Sequence, residues 1–149
     1  MTVTKINNHF IKWLTIQDLH TDSQEWILEL DFLNDEYFFF IDCIKWYTLQ
    51  LIDFQDYSVS KKIVETLSNS KKTNTELYKL VREHQNDLEV LVDESNELKE
   101  EIVYKEEHKA LLFLLKNHSK EHKELKLNLF DILKKIKKIE KQKHIIDLE

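Results

Sequence analysis

The chain has 149 residues, a formal net charge of −6, and neither glycine nor proline. Ordinary usage would supply about 18 of these residues. Without them the left-handed turns of hairpin-rich sheets, phosphate-cradling loops and nucleophile elbows are hard to build, whereas long helices are not.

Apolar residues make up 42% and charged residues 34% of the chain, the balance of extended helices with a narrow buried stripe. Alanine and arginine occur once each against 21 lysines, a bias that an AT-rich coding sequence also produces. The acidic balance gives no general attraction for nucleic acid. The single cysteine, Cys43, excludes an internal disulfide and suits a reducing compartment. The opening MTVTKINNHFIKWL lacks the apolar core of a signal peptide. The most apolar stretch, residues 37–54, is interrupted by Asp42, Lys45 and Asp53, so no transmembrane helix is expected. A cytoplasmic protein follows as the expectation.

Residues 1–22 read as a lead-in. Phe10, Ile11, Trp13, Leu14 and Leu19 make it apolar enough to dock on the rest as a short extra helix. Thr21, Asp22 and Ser23 then offer helix caps, with Gln24 and Glu25 as capping-box partners. The first long helix is predicted over 23–55. Its apolar positions alternate spacings of four and three: Trp26, Leu30, Leu33, Tyr37, Phe40, Ile44, Tyr47, Leu51, Phe54. Ile27, Phe32, Phe39, Ile41 and Trp46 widen the stripe, which predicts a central, deeply buried helix. Most of its aromatics, Phe38 included, are expected in the core, and any exposed remainder marks a partner surface.

Residues 56–60 form the first predicted turn, capped by Ser58 or Ser60. The second helix spans 60–93, with the seam Ile63, Leu67, Ser70, Asn74, Leu77, Val81, His84, Leu88, Leu91. Its stretch SNSKKTNT, residues 68–75, is a poor helix former, and the expectation is a continuous but weakened helix. Residues 93–96 are the second turn. The third helix, 97–146, carries the seam His108, Leu111, Leu115, His118, His122, Leu125, Leu129, Ile132, Ile136, Ile139, Lys143, Ile146. Fifty helical residues would span roughly 75 Å, more than either neighbour. The pattern predicts an all-α protein, a long antiparallel three-helix bundle of coiled-coil type, with dimerisation favoured by the third helix's excess length.

Residues 23–56 carry eight acids and one base, while residues 109–143 carry eleven lysines and four acids. Segments of such opposite sign suit neighbours and help to set register. The lysines of 134–143 lack the interleaved aromatics of a nucleic-acid surface.

Four of the seven histidines fall on seams. A turn centred near residue 96 pairs residue i of the second helix with residue 192 − i of the third, which sets His84 opposite His108. Glu29 and Glu36, seven apart, share a flank of the first helix. Two carboxylates and two histidines from three helices would make a metal centre of ferritin-like type, although that class uses Glu-x-x-His pairs and none precedes these histidines. His118-Ser-Lys-Glu121-His122 matches the H-x-x-E-H pattern of inverted zinc proteases and sets His118 and His122 on one helix face. The alternative for all four is packing as polar seam residues that fix register and charge on acidification. No base accompanies Cys43, so it reads as an inert thiol.

The first helix reads Trp26-x-x-Glu29-x-x-Phe32-x-x-x-Glu36-x-x-Phe39, and a later helix carries Glu107-His108 and a lysine-rich tail with Leu129-Phe130. Over residues 24–145 this resembles a group of helical proteins of similar length from AT-rich bacteria with no established activity. The resemblance implies helical architecture and no site, and residues 68–75 depart from its long charged helices. The functional expectation is a non-enzymatic interaction or scaffolding protein, working as a homodimer or with a protein partner, without cofactor, nucleic acid or membrane. The competing reading is a metal-binding bundle built on Glu29, Glu36, His84 and His108, with His118 and His122 as weaker ligands.

Overall fold

The computed structural model describes residues 15–50, 57–94 and 98–147. Three helices pack against each other: α1 over Ile16–Gln50, α2 over Tyr57–Glu94 and α3 over Leu98–Asp147. No strand occurs among the described residues. Phe10 to Leu14, Leu51, Phe54, Ser95 and Asn96 lie outside them.

Helix α1 starts earlier than its sequence predicts. The Thr15 hydroxyl accepts from the Asp18 backbone N–H at 3.1 Å, and the Asp18 carboxylate accepts from the Thr15 N–H at 3.0 Å. This reciprocal pair satisfies two N–H groups that a helix start would leave orphaned. The Thr15 backbone donor, followed by its hydroxyl, also holds the Asp18 carboxyl below its usual range. The predicted cap at residues 21–23 is therefore corrected. Thr21 and Ser23 lie inside the helix, where their hydroxyls donate to the carbonyls of Gln17 and Leu19, four residues back, at 2.9 and 3.0 Å. A hydroxyl satisfied this way does not break a helix. Leu19 and Ser23 are both fully buried and extend the seam below Trp26. Part of the supposed lead-in is thus α1 itself.

Ser58 and Ser60 likewise fall inside α2, which already runs at Tyr57, and Asp93 and Glu94 belong to its last turn. Helix α2 is continuous through residues 68–75, as expected, and the reason lies in its polar seam. Ser70 shares a 2.6 Å hydrogen bond with the Tyr37 hydroxyl. Asn74 is buried and donates its amide to the Leu30 carbonyl at 2.9 Å. Tertiary hydrogen bonds hold helical a segment whose intrinsic propensity is low.

The described chain divides into two compact units, one from residues up to Leu33 with Asn74–His118, the other from Asn34–Thr73 with residues from Ser119 onward. In the first unit a core of Trp26, Ile27, Leu30, Leu77, Val81, Leu111 and Leu115 is joined by a smaller cluster of Leu19, Leu88 and Tyr104. Side chains of this size contribute about 1.5–3 kcal/mol each when fully buried. In the second unit Tyr37, Phe40, Ile44, Leu67, Leu129 and Ile136 are buried. His84 to His108 and Asn74 to His118 both obey the i to 192 − i relation, so α2 and α3 are antiparallel in the expected register. Within the second unit α1 and α3 run parallel, since Tyr37 meets His122 and Phe40 meets Phe130, and in the first unit Asp22 of α1 meets His108 of α3. The acidic and lysine-rich segments are accordingly neighbours, with Glu36 paired to Lys126 at 2.6 Å. No helix among the described residues is long and apolar enough to cross a membrane.

Candidate functional site

Two features stand apart from an ordinary apolar bundle: a buried chain of imidazoles and an outer face of α1 rich in aromatics.

His84 and His108 are fully buried, and their rings meet through His84 Nε2 and His108 Nδ1 at 2.8 Å. His108 Nε2 lies 3.0 Å from Asp22 Oδ2. The carboxylate only accepts, so His108 donates from Nε2 and its Nδ1 accepts from His84 Nε2 when both rings are neutral. That leaves the lone pair of His84 Nδ1 facing Glu107 Oε2 at 3.7 Å, beyond hydrogen-bond length. Tyr104 stacks on His84 with 4.1 Å between centroids and 6° between planes, and its hydroxyl donates to the His84 carbonyl at 3.1 Å. Trp26 stacks on His108 at 4.4 Å.

Burial, reinforced by His108, pulls the His84 pKa down to about 4. Burial also lowers His108, against the opposing pull of Asp22. Both are neutral imidazoles at neutral pH. Glu107 is raised by burial and by the nearby Asp87 and Glu83. A groove of about 490 Å³ passes Glu107, with Asp87, Glu100, Leu91 and Tyr104 among its walls. Among the described residues its charged lining is carboxylate alone, which gives the groove a negative character.

The sequence expectation for these residues is met in part. His84 and His108 come together, but their carboxylate partners are Asp22 and Glu107, not Glu29 and Glu36. Glu29 is exposed and joins neither histidine. Glu36 stands beside His122 at 3.5 Å and binds Lys126. The four-residue metal centre is therefore not assembled, because the α1–α3 register brings Asp22 level with His108. His118 and His122 also part company. His118 Nε2 donates to Asn74 Oδ1 at 3.0 Å, an orientation fixed by Asn74 spending its amide on Leu30. His122 meets the edge of Tyr37 at 4.7 Å. Among the described residues no group of three or more His, Cys, Asp or Glu side chains could hold a metal ion. Sequence reading passed over Asp22 as a cap and left Tyr104 outside the seam. The spacing Asp22-x-x-x-Trp26 and Tyr104-x-x-x-His108 places each on the inner face of its helix and was the available signal.

Cys43 is half-buried, and burial together with Asp42 pushes its thiol up, the reverse of nucleophile activation.

On α1 the expectation of a core aromatic cluster needs correction. Tyr37 and Phe40 are buried, but Phe32, Phe38, Phe39 and Trp46 are exposed, as is Leu28. Phe38 is covered on one face by Lys71, whose ammonium sits 3.4 Å from the ring centroid. A helix in a three-helix arrangement has one inner face, and the stripe of α1 is wider than that face can bury. Comparison of the chain with protein-family models, with curated proteins and with solved structures finds no match.

Proposed function

We propose that the protein is a non-enzymatic helical interaction or scaffolding protein that works as a dimer. The observation that carries this reading is the unspent apolar surface of α1. Each unit leaves several of its side chains in solvent, Ile16, Leu28 and Phe32 in one, Phe38, Phe39 and Trp46 in the other, although the inner seam is already filled. Exposed apolar surface of this kind favours a partner. The buried imidazole chain supports a structural role for the histidines. Its members are sealed from substrate by Trp26 and Tyr104 and tie three helices in register, as polar seam residues do. Burial and Asp42 hold the Cys43 thiol protonated, which argues against that side chain as a nucleophile.

Native mass spectrometry of protein purified without chelator tests the reading. It predicts a metal-free species of two subunits. A stoichiometric metal that is lost on substituting His84 or His108 would replace it with the metal-binding reading.

A further inference from the structure

We propose that the α1–α3 face of the second unit binds the same face of a second copy of the chain, α1 of each copy lying on α3 of the other. The proposal rests on the interaction reading above and names its partner and geometry.

The face is made by both helices. Phe39 is 64% exposed and Trp46 51% on α1, and Leu127 is 63% and Phe130 42% exposed on α3. An aromatic row joins them: Phe39 meets the buried Phe40 at 5.8 Å between centroids, and Phe40 meets Phe130 at 5.7 Å, both edge-on. Charge divides the face lengthwise. Asp35 and Asp42 stand four residues before Phe39 and Trp46, one helical turn away on the same side. Lys123 stands four before Leu127 and Lys134 four after Phe130, against one exposed acid, Asp131, four after Leu127. Asp35, Asp42, Lys123 and Lys134 are exposed, and none has an ion pair among the described residues.

A surface acidic along one helix and basic along its parallel neighbour can meet a copy of itself by two face-to-face two-fold axes. An axis across the helices lays α1 on α1, acid against acid. An axis along the helices lays α1 on α3 of the other copy, acid against base. Like charges set opposite each other cost affinity and opposite charges set register, so the second arrangement is selected.

Register agrees. The contacts Tyr37–His122 and Phe40–Phe130 put residue i of α1 level with residues i+85 to i+90 of α3. A two-fold axis along the helices keeps these levels. It sets Phe39 of each copy across from Leu127 of the other, and Asp35 across from Lys123. The contact is isologous and closes as a dimer.

Charge exchange tests the pairing. One variant carries Asp35→Lys with Asp42→Lys, the other Lys123→Glu with Lys134→Glu. Each is run on the full chain by sedimentation velocity, alone and in equimolar mixture, with circular dichroism as the check on folding. The wild type is expected as a dimer, each variant alone weakened at least ten-fold in self-association, and the mixture restored to the dimer mass. Restoration also shows that both variants fold. Variants that stay dimeric, or a mixture that stays dissociated, would overturn the α1-on-α3 pairing while leaving the dimer reading intact. A wild-type chain that is monomeric at every concentration would overturn both.

Discussion

Acidification should weaken the fold through His84, and the size of the effect follows from its surroundings. The ring is fully buried, and its pKa falls from 6.5 to about 4. In the unfolded chain it titrates near 6.5, so between these values the unfolded state binds the extra proton. The sign is that of a depressed group: its contribution is complete above pH 6.5 and is lost as pH falls towards 4. At about 1.4 kcal/mol per pKa unit, the loss reaches about 2 kcal/mol by pH 5 and about 3 by pH 4. His108 is shifted in the same direction and adds to it. Glu107, whose pKa is raised, acts oppositely and gains stability as pH falls through its folded pKa. Asp22 on α1 and Glu107 on α3 are the carboxylates facing the imidazole chain. The assay is denaturant unfolding at about pH 7.5 and pH 5 for the wild type and His84→Gln. Glutamine keeps a donor for His108 Nδ1 but cannot titrate, so the variant should lose about 2 kcal/mol less than the wild type across this range. Equal losses in the two proteins would refute the assignment to His84.

Asn74→Ala should cost about 1–3 kcal/mol in the same unfolding assay, because it strands the buried Nε2 donor of His118 and removes the second bond to the Leu30 carbonyl. An unchanged midpoint would mean these groups find other partners. Leu30→Ala should cost about 2–5 kcal/mol, whereas Phe32→Ser, two residues away and exposed, should change monomer stability by less than about 0.5 kcal/mol. Comparable losses would contradict the inner and outer faces assigned to α1. The Cys43 thiol should be alkylated more slowly than free cysteine near pH 7.5, with the rate climbing as pH rises, since burial and Asp42 hold it protonated. Alkylation as fast as the free amino acid would place it in a different environment.

Much of this fold is legible in the residue pattern. Alternating spacings of four and three predict the inner faces of all three helices, and the i to 192 − i relation predicts the His84–His108 contact to the residue. Helix starts are less legible, because a hydroxyl side chain has two competing uses. Thr15 caps α1 from outside, while Thr21 and Ser23 spend their hydroxyls on carbonyls within it. The carboxylate partners of the histidines are set by how the helices are offset, α1 against α3 for Asp22 and α2 against α3 for Glu107, which depends on tertiary packing and not on spacing within any one helix. That is why Asp22 and Glu107, and not Glu29 and Glu36, flank the pair. The aromatics of α1 are apolar on two sides, and only packing shows that Phe39 and Trp46 take the outer one.

Sedimentation equilibrium of the full chain against a Phe39→Glu, Trp46→Glu variant addresses the central claim most directly. Both side chains are exposed, so the variant retains its helical fold. The account predicts a wild-type mass of twice the 18.1 kDa chain and a variant mass of a single chain. A variant that remains dimeric, or a wild type that never dimerises, would contradict it.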